Sequence, residues 1–138
     1  MTDGLAPRWN VAVLAGGIVG GVLLGWIHVF VLAYMALFTV GGYKYVGTWA
    51  FFLNGTASAI LTGIVLGIPL GVLLPRLSLR LALIIGAVAA VFLMYFGMRS
   101  GTDRLSWVPV TDALQLPLLF ILSAWLGSRL RVARNART

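Results

Sequence analysis

The stretch from Thr48 to Leu74 reads TWAFFLNGTASAILTGIVLGIPLGVLL and contains no charged residue. A helix crossing a hydrocarbon core of about 30 Å needs about 20 mostly apolar residues, so this stretch is long enough to span a membrane. Lipid offers no water to open backbone groups, which requires such a run to be helical. Three further runs have the same character: Asn10 to Leu37, Leu79 to Met98 and Val108 to Gly127. Gly41-Gly42-Tyr43-Lys44, Leu74-Pro75-Arg76-Leu77-Ser78 and Arg99-Ser100-Gly101-Thr102-Asp103-Arg104 join them, each punctuated by Gly or Pro.

The fold class that follows is an all-α integral membrane protein with four transmembrane helices, at about 10–37, 48–74, 79–98 and 108–127. Short connections predict an antiparallel up-down bundle in which consecutive helices are neighbours. Residues 1–138 are read as a single transmembrane domain ending in a short basic cytoplasmic tail, 128–138. The first apolar run extends well beyond the roughly 7 to 15 residues of a signal-peptide core and is expected to be a retained span.

Composition agrees with this class. The chain of 138 residues is 61% hydrophobic and 9% charged, against roughly 25% charged in a soluble domain. Its net charge of +7 arises from ten Lys and Arg against three acids, and in a soluble protein such an excess would suggest nucleic acid. Here the cations flank apolar runs, where they set orientation and meet anionic headgroups, so the expected partner is the lipid bilayer and not nucleic acid.

Arg8, Arg76, Arg80, Arg129, Arg131, Arg134 and Arg137 fall on the side of both termini, against Lys44, Arg99 and Arg104 opposite. Cytoplasmic loops carry the excess of Lys and Arg, which predicts cytoplasmic N- and C-termini in a bacterial-type inner membrane. Trp9 and Trp125 would then mark the inner interface, and Tyr43, Tyr45, Trp49, Tyr95 and Trp107 the outer one. Trp26 fits this register less well, because the first run continues for more than ten residues beyond it. Tilt, or a partner covering the extension, accounts for the excess length.

Small residues recur four apart in three runs: Gly17, Gly21 and Gly25; Gly55, Ala59, Gly63, Gly67 and Gly71; Ala82, Gly86 and Ala90. Such rows let helix backbones approach closely, and they are read as helix-packing surfaces. Beside the second row lies a polar one, Asn54, Ser58 and Thr62, either a track for an ion or water or a set of interhelical hydrogen bonds. Asp112 is the only carboxylate inside a span, with Gln115 three residues later on nearly the same face. An intramembrane acid suggests an ion or proton site. Near the start of its helix it could instead favour the positive helix end and pair with Arg99 or Arg104.

His28, the chain's one histidine, follows Gly21 by seven residues and Gly25 by three, which places it on the glycine face. It is read as a hydrogen-bonding packing residue or a titrating member of the polar path. A metal centre is not expected, because a site wants three or four ligands and the chain has no Cys, no Glu and no second His. No cofactor and no catalytic residue are expected, since acid, base and nucleophile candidates do not converge in a motif.

The double-glycine spacing of GGIVGG is similar to the start of the first helix in small four-helix fluoride channels. Leu24 stands where that pattern carries arginine, and the third run lacks that family's Thr, Ser and Phe motif. Small multidrug transporters have a similar length and span number but depend on a glutamate that this chain lacks, so neither family is assigned.

Two functions remain in view. One is a non-catalytic membrane component associating through Gly and Ala helix faces with itself or a larger membrane complex. The other is a small oligomeric ion, proton or solute channel or transporter using Asp112, Gln115, Asn54, Ser58, Thr62 and His28.

Overall fold

The computed structural model describes residues 6–39, 48–76, 78–99 and 107–136, with side chains at 11–35, 37, 52–76, 78–99 and 110–136. Four helices account for them: α1 (Ala6–Thr39), α2 (Thr48–Leu73), α3 (Ser78–Arg99) and α4 (Trp107–Asn135). Each contains a stretch long and apolar enough to cross a membrane, from Val11–Met35 in α1 to Val110–Asn135 in α4. Large apolar side chains lie exposed on all four, among them Phe30, Leu53, Val91 and Leu118. A helix that is apolar all round, with this much of it turned outward, fits an integral membrane protein.

Local chemistry sets the helix ends. Pro7 falls in the first turn of α1, where its fixed φ suits the helix and its missing N–H costs no bond. After α2 the chain reverses at Pro75, the Leu74 carbonyl accepts the Ser78 N–H at 2.7 Å, and Ser78 Oγ donates to the Pro75 carbonyl. At the same end Arg131 Nη1 donates to the Val72 and Leu73 carbonyls, occupying acceptors that a helix end leaves open. The basic segment expected as a tail from residue 128 is helical through Asn135. Its first turn carries Ser128 Oγ bonded back to the Trp125 carbonyl and the Arg129 guanidinium 5.3 Å from the Trp125 ring.

α2 packs most extensively on α4, α3 lies against both α1 and α4, and α1 touches α2 more lightly. α2 and α3 hardly meet, although they are consecutive. That departs from the expectation of consecutive neighbours. A short connection fixes only where two helices join, whereas side contact is decided by which faces are small enough to admit a partner.

The contacts also give directions. Gly17 faces Ile84, Gly21 faces Val88 and Gly25 faces Phe92, so α1 and α3 run the same way. Gly55 faces Asp112, Gly63 faces Leu119 and Gly67 faces Ser123, so α2 and α4 do too. Gly86 of α3 sits against Pro117 and Ile121 of α4.

On α3 the buried residues are Ser78, Ala82, Ile85, Gly86, Ala89 and Leu93, with Ala89 in the place expected of Ala90. A step of four residues advances a helix about 40° beyond a full turn, so two such steps drift off the face. A seven-residue step from Ala82 to Ala89 misses by only about 20°. The core between the helices comprises Leu24, Ala59, Ala82, Ile85, Ala89, Leu93, Ala113, Leu116, Phe120 and Ala124. Trp26 lies outside that core and half-exposed, its ring 5.7 Å from Phe92 and 6.1 Å from Phe96. Of the residues used for orientation, Arg8, Lys44, Arg104 and Arg137 and the rings of Trp9, Tyr43, Tyr45, Trp49 and Trp107 fall outside the described side chains.

Candidate functional site

The polar residues singled out on α1, α2 and α4 gather where those helices meet, toward the end of the bundle away from the α2–α3 connection. His28 is fully buried, Ser58 likewise, and Asn54, Thr62 and Asp112 are buried as well. Gln115 is half-buried. Their proximity follows from helix geometry. His28 comes eleven residues after Gly17, within about 20° of three full turns, so it remains on the face that the glycines open.

Ser58 Oγ lies 3.1 Å from His28 Nδ1 and 3.2 Å from the His28 carbonyl oxygen. One hydroxyl carries one proton, so both contacts are made at once only when Oγ–H donates to the carbonyl and Nδ1–H donates to Oγ. In the neutral ring of that tautomer Nε2 is an unprotonated acceptor. Nε2 is buried and has no hydrogen-bond partner among the described residues.

Asp112 projects from α4 onto Gly55 of α2, close enough that a methyl group on Gly55 would overlap Oδ1 and stand 3.0 Å from the carboxyl carbon. Glycine at 55 is thus what admits the carboxylate between the helices. Asp112 Oδ1 is buried without a hydrogen-bond partner among the described residues. Arg99, one of the expected partners, instead donates from Nη1 to Tyr95 Oη at 2.9 Å. The other, Arg104, lies outside the described residues. An unpartnered buried polar atom costs about 1–3 kcal/mol, and more when charged, so two of them within one small region demand an explanation.

The remaining members are better satisfied. Thr56 Oγ1 is 3.0 Å from Gln115 Oε1 and 2.9 Å from the Phe52 carbonyl, sharing its proton between a neighbouring helix and its own. Thr62 Oγ1 donates to the Ser58 carbonyl one turn earlier, a bond within α2 that leaves Thr62 little capacity toward a solute. Asn54 has a partner already. Two further residues join the set. Thr56 is the α2 contact of Gln115. Ser123 is buried against Gly67, and its spacing of eleven residues from Asp112 would have placed it on the same face.

Toward the α2–α3 connection the seam becomes dry and close. Methyl groups on Gly67, Gly71 and Gly127 would collide with the Phe120, Ala124 and Ile68 carbonyl oxygens, so main chain meets main chain there. On the outer surface an apolar groove of about 440 Å³ is lined by Met35, Ala57, Ile60, Leu61, Ile64 and Val65. Among the described residues no three His, Cys, Asp or Glu come together as metal ligands do. No protein-family model matches the chain, and no curated protein or solved structure matches it.

Proposed function

We propose that this chain is a small, non-catalytic component of a bacterial-type inner membrane, an antiparallel up-down four-helix bundle with both termini in the cytoplasm. It associates with further copies of itself or with a larger membrane complex. The observation that supports this reading most is the main-chain contact between α2 and α4 at Gly67, Gly71 and Gly127, which leaves no room for a solute between those two helices there. A protein so filled with helix contact and so poor in convergent chemistry serves best by packing. Because its glycine rows are engaged within the chain, the surface offered to a partner consists of large apolar side chains. The exposed Phe30, Tyr34 and Leu37 on the long α1 are prominent among them. At 34 residues α1 is about 51 Å long, well beyond the hydrocarbon thickness of about 30 Å.

Mild detergent extraction followed by native mass spectrometry tests the proposal. The wild-type chain should emerge as an oligomer or with a second subunit, and a Phe30→Ser, Tyr34→Ser double variant should emerge alone but folded. A monomeric wild type would sink the component reading. Topology is checked by a cysteine placed at Lys44, which should react with an impermeant reagent added outside cells.

A channel or transporter is the second reading, favoured by the buried His28, Ser58 and Asp112 with half-buried Gln115 on three helices. Liposomes holding the purified chain would then show ion or proton flux that Asp112→Asn abolishes.

A further inference from the structure

The two unpartnered buried atoms, His28 Nε2 and Asp112 Oδ1, belong to different helices but flank the same turn of α2. His28 is bonded to Ser58, and Asp112 rests on Gly55. Those α2 positions are three residues apart, about 4.5 Å along the axis. Both atoms are also of one kind. With the Ser58 proton on the His28 carbonyl, Nδ1 holds the ring proton and Nε2 is an acceptor, and an ionised carboxylate oxygen is only an acceptor.

Among the described residues no donor or cation answers them. The described part of α2 carries no titratable residue. On α3 the groups at this end are Tyr95 and Arg99, both exposed and bonded to each other. The arginines of α4 and Arg80 of α3 lie at the opposite end, and Tyr34 of α1 is exposed. A buried carboxylate in an apolar surround needs one compensating positive charge.

We propose that the buried polar cluster around the Gly55–Ser58 turn of α2 binds one small monovalent cation, with Asp112 Oδ1 as its charged ligand and His28 Nε2 as its second acceptor. The cation is either a proton, carried on the Asp112 carboxyl, or a sodium ion. Binding is an equilibrium property and requires no flux, so it stands apart from both readings of function above.

The test uses the purified full chain in nanodiscs of zwitterionic lipid, which removes headgroup sites for cations. Infrared spectra at neutral pH, taken with and without sodium, are compared between wild type and Asp112→Asn. Equilibrium dialysis against ²²Na⁺ accompanies them. A protonated-carboxyl band lost in Asp112→Asn and indifferent to sodium identifies the proton. One ²²Na⁺ bound per chain, lost in Asp112→Asn, identifies the sodium ion. An Asp112 that is ionised and binds no sodium overturns the proposal.

The second acceptor is tested separately. His28→Gln should shift the midpoint of pH or sodium dependence by about threefold or more, as expected for one modest polar contact inside a membrane. An unmoved midpoint overturns the role of His28. Should the variants fail to fold, ¹⁵N spectra of the wild type remain decisive, because labelled histidine reports on one residue. A proton resident on Nδ1 supports the acceptor pair, and one resident on Nε2 overturns it.

Discussion

The α1–α3 and α2–α4 seams are both built from glycines four apart, yet they do different things with the same pattern. Along α1 the glycines receive side chains: Ile84 at Gly17, Val88 at Gly21 and Phe92 at Gly25, with one carbonyl, that of Ile85, also near Gly21. Along α2 they increasingly receive backbone, with the Phe120 carbonyl at Gly67 and Ala124 and Ser128 main-chain atoms at Gly71. Side chains can rotate away from an intruding methyl group, whereas two helix backbones in contact can separate only as whole bodies. The small-residue row therefore tells which face is approached, and the partner's side chains decide how close the approach becomes.

Substitutions can break this contrast. Gly71→Ala should be the most damaging, since the added methyl meets the Ala124 carbonyl and the Ser128 nitrogen, at 2.7 Å from the latter. A loss of about 3 kcal/mol, or failure to fold, is expected from overpacking that cannot relax. Reversible unfolding in mixed micelles, followed by circular dichroism, measures it; wild-type stability would mean that the seam is looser than described. Gly25→Ala should cost less, about 1 kcal/mol, because the obstacle is the Phe92 ring. If Gly25→Ala proves as harmful as Gly71→Ala, the distinction between side-chain and backbone seams fails.

Ser58→Ala probes the lighter α1–α2 contact, where it removes the partner of His28 Nδ1. Interhelical hydrogen bonds in membranes contribute about 0.6 kcal/mol on average, and the same unfolding assay should show a loss of that order. Gly16 anchors the small end of the scale. A methyl group there meets nothing within 4 Å, so Gly16→Ala should be neutral or stabilising by under about 1 kcal/mol through helix propensity. A clear loss would show that α1 has a second packed face.

Much of this architecture could be read before the helices were assembled. The four apolar runs lie within a few residues of α1 to α4, except that α4 continues to Asn135 because its basic residues remain in the helix and Arg131 reaches α2. That His28 turns inward followed from its place on the glycine face. The Ser58 hydroxyl against it did not, since it depends on the rotation of α2 relative to α1. Likewise Arg99 was plausible from spacing as a partner for Asp112, yet it bonds to Tyr95 on its own helix while Asp112 turns toward Gly55, and the other candidate, Arg104, lies outside the described residues. Thr56 stands one position off the polar row of α2, but its partner Gln115, 59 positions away, was not legible from that spacing.

By itself the sequence determined the number of helices, their approximate ends, their fitness for a membrane and the faces on which small and polar residues fall. Each of these follows from local properties: apolar length, backbone hydrogen bonding and a period of about 3.6 residues. Only the tertiary structure decided that α1 lies on α3 and α2 on α4, that α2 and α3 barely touch, and that two buried polar atoms from different helices have no partner among the described residues around one turn of α2. Those outcomes depend on how four faces fit together at once, and small-residue rows, being alike, do not carry the address of their partner.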